Sequence, residues 1–382
     1  MEKGAKIFIA GFAGMVGSAI FRRLEGEGFT NIVGSYHHRA PALASRGVSE
    51  SPRLVHIDLR RQADVDALFE AERPEYVFLA AAKVGGILAN STYKADFIYD
   101  NIMIAANIIH GAFRYGTKKL LNLGSSCIYP KDSPQPMKED YLLTGPLEPT
   151  NEPYAVAKIS AIKLCRYFNE QYKTHFLSVM PANLYGPQDN FNLETSHVLP
   201  ALLRKFYLAK LLKRQDTATV LRDVQRFPLG VAVGFDGETS THERVVDVLE
   251  RIGVSDSHVR IWGTGEVFRE FLHVDDLADA CVFLMKHFTA EDIGEFINIG
   301  TGKEIRLNEL ARLIQAAVGF DGEIRHDPSK PDGVKRKCLD VSRIRNLGWR
   351  PKIDLKEGLE ETIRWYAQAV SEIPAARSEV AP

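Results

Sequence analysis

The chain has 382 residues, 45% hydrophobic and 25% charged, enough for two modest domains or one large one. Its 48 Lys and Arg against 49 Asp and Glu leave a net charge of −1, which argues against broad non-specific binding to nucleic acid or anionic membrane. No apolar run approaches the roughly 18–20 residues of a membrane span, no secretory signal precedes the first strand-like run, and Cys127, Cys165, Cys281 and Cys338 form no CxxC pair, so free thiols, no metal site and a cytoplasmic setting are expected.

Strand-like apolar runs fall at Lys6–Ala10, Asn31–Ser35, Leu54–Ile57, Tyr76–Ala80, Lys119–Leu123 and Phe176–Met180. Their continuous apolar character suits strands buried on both faces of a parallel sheet. Amphipathic stretches such as Val16–Leu24 and Ala63–Glu70 lie between them, and a long helix is expected over Lys94–Tyr115. The alternation predicts an α/β fold with a doubly wound parallel Rossmann sheet. After about residue 182 the rhythm changes. Helical patterns at Leu199–Leu212 and His242–Ile252 flank a glycine-containing loop around Phe227–Gly237, a strand returns at 296–300, and a helix follows with Leu307, Leu310, Leu313, Ile314 and Ala317 on one face. We expect a cofactor domain over 1–181 plus about 266–304. A smaller C-terminal substrate domain takes about 182–265 plus 305–370, and 371–382 forms a fraying tail.

Gly11, Gly14 and Gly17 stand directly after the first strand and open a helix. Glycine allows the tight turn and the close approach of a pyrophosphate, and the helix start offers free N–H groups. In this strand–turn–helix context the spacing predicts dinucleotide binding. The second strand ends Gly34-Ser35-Tyr36-His37-His38-Arg39, without the acid that would hold a ribose 2′-hydroxyl. A hydroxyl, imidazoles and a guanidinium suit a 2′-phosphate instead, so NADP(H) is expected, with Arg39 the first choice because its fork matches phosphate oxygens. Asp58 and Leu59 are placed to contact adenine.

Residues 124–130 read G-S-S-C-I-Y-P at the end of a strand. On residue grounds alone Cys127 is packing filler, metal ligand, nucleophile or acid/base group. Tyr154 and Lys158 are four apart in N-E-P-Y-A-V-A-K, on one face of a helix. A nearby ammonium and an oxidised nicotinamide would both lower the phenol's pKa from about 10. Tyr154 would then protonate a carbonyl as hydride arrives, with Ser125 bonded to the same oxygen.

With these residues the chain resembles the extended short-chain dehydrogenase/reductases, and among them the epimerase–reductases acting on GDP-4-keto-6-deoxy-D-mannose. The resemblance rests on G-F-A-G-M-V-G-S-A-I, L-A-A-A-K-V-G-G-I, A-D-F-I-Y-D-N, L-G-S-S-C-I-Y-P, L-E-P-T-N-E-P-Y-A-V-A-K, N-L-Y-G-P-Q-D-N-F, S-H-V-L-P-A-L-L-R, W-G-T-G, R-E-F-L-H-V-D-D and S-K-P-D-G. It implies that Ser125, Tyr154 and Lys158 carry reduction and that Cys127 and His197 are the acid/base pair for epimerisation at C3 and C5. It implies cofactor contacts from Gly11, Gly14, Met15, Val16, Gly17, Ser35, Arg39, Asp58, Leu59, Leu123, Ser126, Lys158, Pro181, Asn183, Leu184 and His197. It implies substrate contacts from Asn183, Lys205, Trp262, Arg269 and Asp332; Asn183 alternatively closes a turn. Lys330 to Lys337 add further cations for a diphosphate. A homodimer is implied, packed through the helix bearing Tyr154 and the long helix before it.

Two departures stand out. About 208–259 forms an insertion absent from shorter members, a lid, an oligomer contact or decoration. Phe12-Ala13 occupies a place where other members often carry a basic residue. The rival readings are a reductase/epimerase on another GDP-4-keto sugar, dideoxy or heptose, and a catalytically silent NADP-binding regulator. A 4,6-dehydratase fits less well, since Cys127-Ile128 stand where dehydratases commonly place an acid.

Overall fold

The computed structural model describes residues 1–37, 52–230, 242–330 and 332–372. Arg39, the end of the Phe227–Gly237 loop and most of the expected tail lie outside the described residues. Seven parallel strands form the main sheet: β1 (Ile7–Ala10), β2 (Ile32–Tyr36), β3 (Arg53–His56), β4 (Tyr76–Leu79), β5 (Lys119–Leu123), β6 (Phe176–Pro181) and, after the short β7 (Asn183–Tyr185), β8 (His258–Trp262) and β9 (Phe268–His273), the returning β10 (Ile297–Ile299). Their order is β3-β2-β1-β4-β5-β6-β10, so the winding reverses between β1 and β4. Side chains of β1, β6 and β10 are buried throughout, as strands covered by helices on both faces must be. β3 departs from that expectation. It is an edge strand with Arg53 and His56 exposed, because only β2 flanks it.

The helices of this half are α1 (Met15–Gly26), α2 (Gln62–Glu72), the short α3 (Ile87–Thr92), α4 (Lys94–Arg114) and α5 (Glu152–Tyr172). The predicted helices agree to within a residue or two at most ends. Phe97, Ala105, Ile108, Ile109 and Ala112 of α4 and Ala155, Ala161, Ile162 and Cys165 of α5 are buried at helical spacing, so each helix turns one apolar face inward. Among the described residues no helix is long and apolar enough to cross a membrane.

A second core lies beside the sheet. It gathers α6 (Val198–Lys213), α7 (Thr217–Arg226) and α8 (His242–Arg251). Beyond α9 (Val274–His287) and α10 (Ala290–Ile293), which pack on the main sheet, this core takes α11 (Leu307–Val318) as well, and, past α12 (Ser342–Asn346), α13 (Leu355–Ser371). β11 (Glu304–Arg306), β9 and β7 form one small sheet, and β12 (Glu323–Asp327) pairs with β8 in another. The insertion is part of this core rather than decoration. Val220 and Val224 of α7, and Val245, Val248 and Leu249 of α8, are buried. Each such side chain contributes about 1.5–3 kcal/mol when removed from water, which makes the described part of the insertion a structural component.

Candidate active site

In an open parallel sheet, ligands sit beyond the carboxyl ends of the strands where the winding reverses. Here the turns after β1, β4, β5 and β6 meet at that edge. After β1, Gly11 adopts φ +83°, and a Cβ there would lie 2.7 Å from the Ala81 backbone. A Cβ on Gly17 would lie 2.2 Å from the Gly11 carbonyl oxygen. Both glycines are therefore dictated by close backbone approach. Gly14 caps α1 with no side-chain bond and no acid in the first turn. Met15 and Val16 begin the helix, whose leading N–H groups face the turn, an arrangement that suits a pyrophosphate.

Ser35 is fully buried, and its hydroxyl accepts the Gly11 N–H at 3.0 Å while its carbonyl accepts the Phe12 N–H at 2.9 Å. It props the glycine turn from below. Asp58 accepts two hydrogen bonds from the Arg60 guanidinium, each at 2.8 Å, and one from its backbone N–H at 3.0 Å. Those bonds hold its carboxyl down at about 2. Leu59 is buried, with its carbonyl bonded to Asn107. His37 lies 3.8 Å from Asp58 and its ring is parallel to that of His56 at 6.3 Å, so two imidazoles stand at the ends of β2 and β3. His56 escapes a reading of the sequence because only the pairing of β3 with β2 brings it there.

The turn after β5 carries the reactive residues. Ser125 is extended and caps a short 3-10 turn over Ser126–Ile128, its hydroxyl accepting the Cys127 N–H at 3.4 Å. Ser126 and Cys127 are buried. Tyr154 and Lys158 sit one turn apart at the start of α5, and Pro153 in the first turn favours helix initiation. Lys158 is buried and donates to the Leu123 carbonyl at 2.8 Å, with its ammonium 5.7 Å from the Tyr154 ring centroid. The edge of Phe97 meets Tyr154 at 6.3 Å between centroids. Ser125 lies close enough to Tyr154 to act on its phenol. Ser125, Cys127, Tyr154 and Lys158 thus form one cluster.

Its electrostatics differ from expectation. Burial raises the Tyr154 phenol above its usual range, with Cys127 adding to the rise, and Ser125 opposes them only in part. Lys158 is pulled down to about 8 by burial. The sequence leads one to expect an ammonium that lowers the phenol; among the protein's own groups, desolvation wins. Burial likewise raises the Cys127 thiol, against the positive charges of Lys337 and Lys158 and the Ser125 hydrogen bond. His197, the residue before α6, is exposed at its surface; the protein packed around the ring lowers its pKa, and Lys337 lowers it further. Lys337 therefore acts on both Cys127 and His197, a placement invisible in the basic run 330–337.

Pro181 ends β6. Asn183 donates its amide to the Glu270 carbonyl at 2.8 Å, tying β7 to β9, and Leu184 follows in β7. The remaining predicted substrate residues lie on and around β8 and β9. Trp262 is half exposed, with the Lys330 ammonium 5.5 Å from its ring. Asp332 accepts from the Thr264 N–H at 2.7 Å and its hydroxyl at 2.9 Å. Arg269 donates to the Phe268 and Val334 carbonyls at 2.7 and 2.6 Å. Lys205 donates to the Ile252 and Arg260 carbonyls at 2.8 and 3.0 Å, and burial lowers it to about 8. Asp332 and Lys205 thus have structural partners that the sequence does not reveal.

His273, Asp275 and Glu361 also converge, with candidate ligand atoms within 4.8 Å of one another. The Nδ1 of His273 accepts from the Asp275 N–H at 3.3 Å, so its proton is on Nε2, facing Glu361. Arg22 already pairs with Asp275 at 2.6 Å. The trio is a helix cap with an ion pair, a poor donor set for a metal.

A sequence model of the NAD dependent epimerase/dehydratase family matches residues 7–225 and 229–300. A rice (Oryza sativa subsp. japonica) protein named probable GDP-L-fucose synthase 1 is 48% identical over 370 residues, 97% of this chain and 94% of that protein. GDP-L-fucose synthase of Escherichia coli (strain K12) is 43% identical over 369 residues, covering 95% of this chain and 97% of that one. The crystal structure of a GDP-D-glycero-L-gluco-heptose synthase from Campylobacter jejuni, in the presence of NADPH, is 37% identical with a TM-score of 0.83, covering 96% of this chain and 99% of that chain.

Proposed function

The chain belongs to the NAD dependent epimerase/dehydratase family, and from that premise we propose that it is a GDP-L-fucose synthase: it inverts C3 and C5 of GDP-4-keto-6-deoxy-D-mannose and then reduces C4 with NADPH. The relatives of that name span nearly its full length. One observation carries the epimerase half: Cys127 occupies the same buried turn as Ser125 and shares the charge of Lys337 with His197. A plain ketoreductase needs neither a thiol nor that imidazole.

The glycine turn and uncapped start of α1 fit a dinucleotide diphosphate, Asp58 and Leu59 lie at the adenine end, and His37 faces the 2′-phosphate, for which the sequence also offers Arg39, outside the described residues. NADPH, when bound there, supplies the hydride for C4. The C4 ketone acidifies the hydrogens on C3 and C5, so removing one gives an enolate. Ser125 and Tyr154 offer hydroxyl donors to its oxygen, and a donor aimed at developing charge in a buried site is strongly stabilising. At neutral pH Cys127 rests as a thiol and His197 as a neutral imidazole, as their shifts require. Between them they hold one proton to give and one lone pair to receive it. In the reduction Tyr154, kept protonated by its surroundings, donates to the C4 oxygen, and Lys158 holds the turn through Leu123. Trp262, Arg269 and Lys330, with Asn183, Lys205 and Asp332 shaping the walls, face the GDP moiety.

Incubation with GDP-4-keto-6-deoxy-D-mannose and NADPH in deuterated water tests the reading. GDP-L-fucose with deuterium at C3 and C5 is expected; reduction without inversion, or no turnover, rejects it. The likeness to the heptose synthase favours a second reading, a GDP-4-keto-heptose substrate. Turnover of a heptose substrate in preference to the 6-deoxyhexose would select it.

The proposal includes two domains, a cofactor half built on the main sheet and a substrate half built on the second core. It also includes a cytoplasmic location, consistent with four free cysteines and checked by cell fractionation. A homodimer through α4 and α5 would cover Tyr99, Tyr167 and Tyr172, which are exposed on those helices. Sedimentation at twice the 42.7 kDa of one chain is expected.

A further inference from the structure

We propose that the insertion braces the loop that carries His197, with Arg204, Asp223 and Tyr366 as positioning residues for epimerisation. This rests on the epimerase–reductase reading above. The loop from Gly186 to His197 is tied to itself: Asn190 accepts the Asn192 N–H at 3.0 Å, and Asn192 accepts the Glu194 and Thr195 N–H groups at 2.9 and 3.2 Å. Those bonds fix the loop's shape but not its place. Its place is set by bonds to other elements. The Thr195 carbonyl accepts the Gly86 N–H at 2.8 Å, beyond the end of β4. The Phe191 carbonyl accepts Nη1 of Arg204 at 2.8 Å.

Arg204 is fully buried in α6, on the helix that begins directly after His197. Its Nε and Nη2 donate to Asp223 Oδ1 at 3.0 and 2.8 Å, its Nη1 also reaches the Pro228 carbonyl at 3.1 Å, and its Nη2 bonds the Phe227 carbonyl. The other Asp223 oxygen accepts the Tyr366 hydroxyl from α13. The Tyr366 ring packs on Phe191 at 4.5 Å and stacks on Phe227 at 5.0 Å. α7 and residues 227–228, all within the insertion, thus supply the carboxylate and two of the carbonyls that allow Arg204 to be buried. A buried guanidinium without them would be an uncompensated charge. By contrast Ser125, Tyr154 and Lys158 hang from β5 and α5, and Lys158 is held by Leu123. Loosening the brace should therefore move His197 and spare the reducing groups.

The test uses Tyr366→Phe, which removes one hydroxyl and keeps the ring, and Asp223→Asn, each in the full chain with GDP-4-keto-6-deoxy-D-mannose and NADPH in deuterated water. The readout is the ratio of C3/C5-inverted product to sugar reduced at C4 with both centres unchanged. Tyr366→Phe is expected to lower that ratio about tenfold, within the roughly 10²-fold that a 1 Å misplacement costs, while NADPH oxidation persists. Tyr366→Phe decides the matter if Asp223→Asn fails to fold. A wild-type ratio in Tyr366→Phe, or inversion and reduction falling in proportion, overturns the brace. Absence of inversion in the wild type would instead overturn the underlying reading.

Discussion

Tyr154→Phe is expected to slow NADPH-dependent reduction by about 10²–10⁴-fold, the usual contribution of a positioned acid/base group, with NADPH affinity unchanged. The expectation follows from what surrounds the phenol. Burial and Cys127 hold its pKa up against Ser125, and Phe97 packs edge-on to the ring. Phenylalanine keeps the ring packing and removes only the hydroxyl that donates the proton. The measurement is single-turnover NADPH oxidation beside a cofactor titration. Reduction within tenfold of wild type would remove Tyr154 from the chemistry, and a matching loss of NADPH binding would make its role structural.

Cys127→Ser is expected to separate the two halves of the reaction. Deuterium incorporation at C3 and C5 should fall by about 10²–10⁴-fold, while C4 reduction continues on uninverted substrate and releases a product of unchanged C3 and C5 configuration. Serine is close in size to cysteine, so the turn closed by the Ser125 hydroxyl and the residue-127 N–H persists. An alcohol is a far weaker acid than a thiol, even one raised by burial as Cys127 is. Product analysis by NMR is the measurement. Equal loss of exchange and reduction would return Cys127 to a packing role, as for Cys165 and Cys281, which are buried in two of the helices that cover the sheet.

Much of this is legible in the sequence because it is local. Gly11 to Gly17 follow a strand and open a helix, and Tyr154 and Lys158 share a helical face whatever else the chain does. Continuous apolar runs mark most strands of the main sheet, since burial on both faces removes any alternation. β3 misleads because an apolar run says nothing about being at an edge. What stays hidden depends on long-range pairing. The charge of Lys337 acts on Cys127 and His197 because its segment is held in place by long-range bonds, among them the Met137–Cys338 hydrogen bond and Glu270, which accepts the Leu339 N–H at 2.7 Å. Arg204 looks like any basic residue in a helix until α7, the Phe191 loop and α13 close around it. Nor does the sequence show that the Thr264 turn donates to both oxygens of Asp332.

The strut beneath the glycine turn bears on redesign. The common way to make such an enzyme accept the cheaper, unphosphorylated coenzyme is to write an acidic residue near the end of β2. At position 35 that exchange would bury a carboxylate where a hydroxyl now supports Gly11. Coenzyme choice and support of the glycine turn are therefore linked at that position, and an engineer wanting one without the other must place the acid past Tyr36.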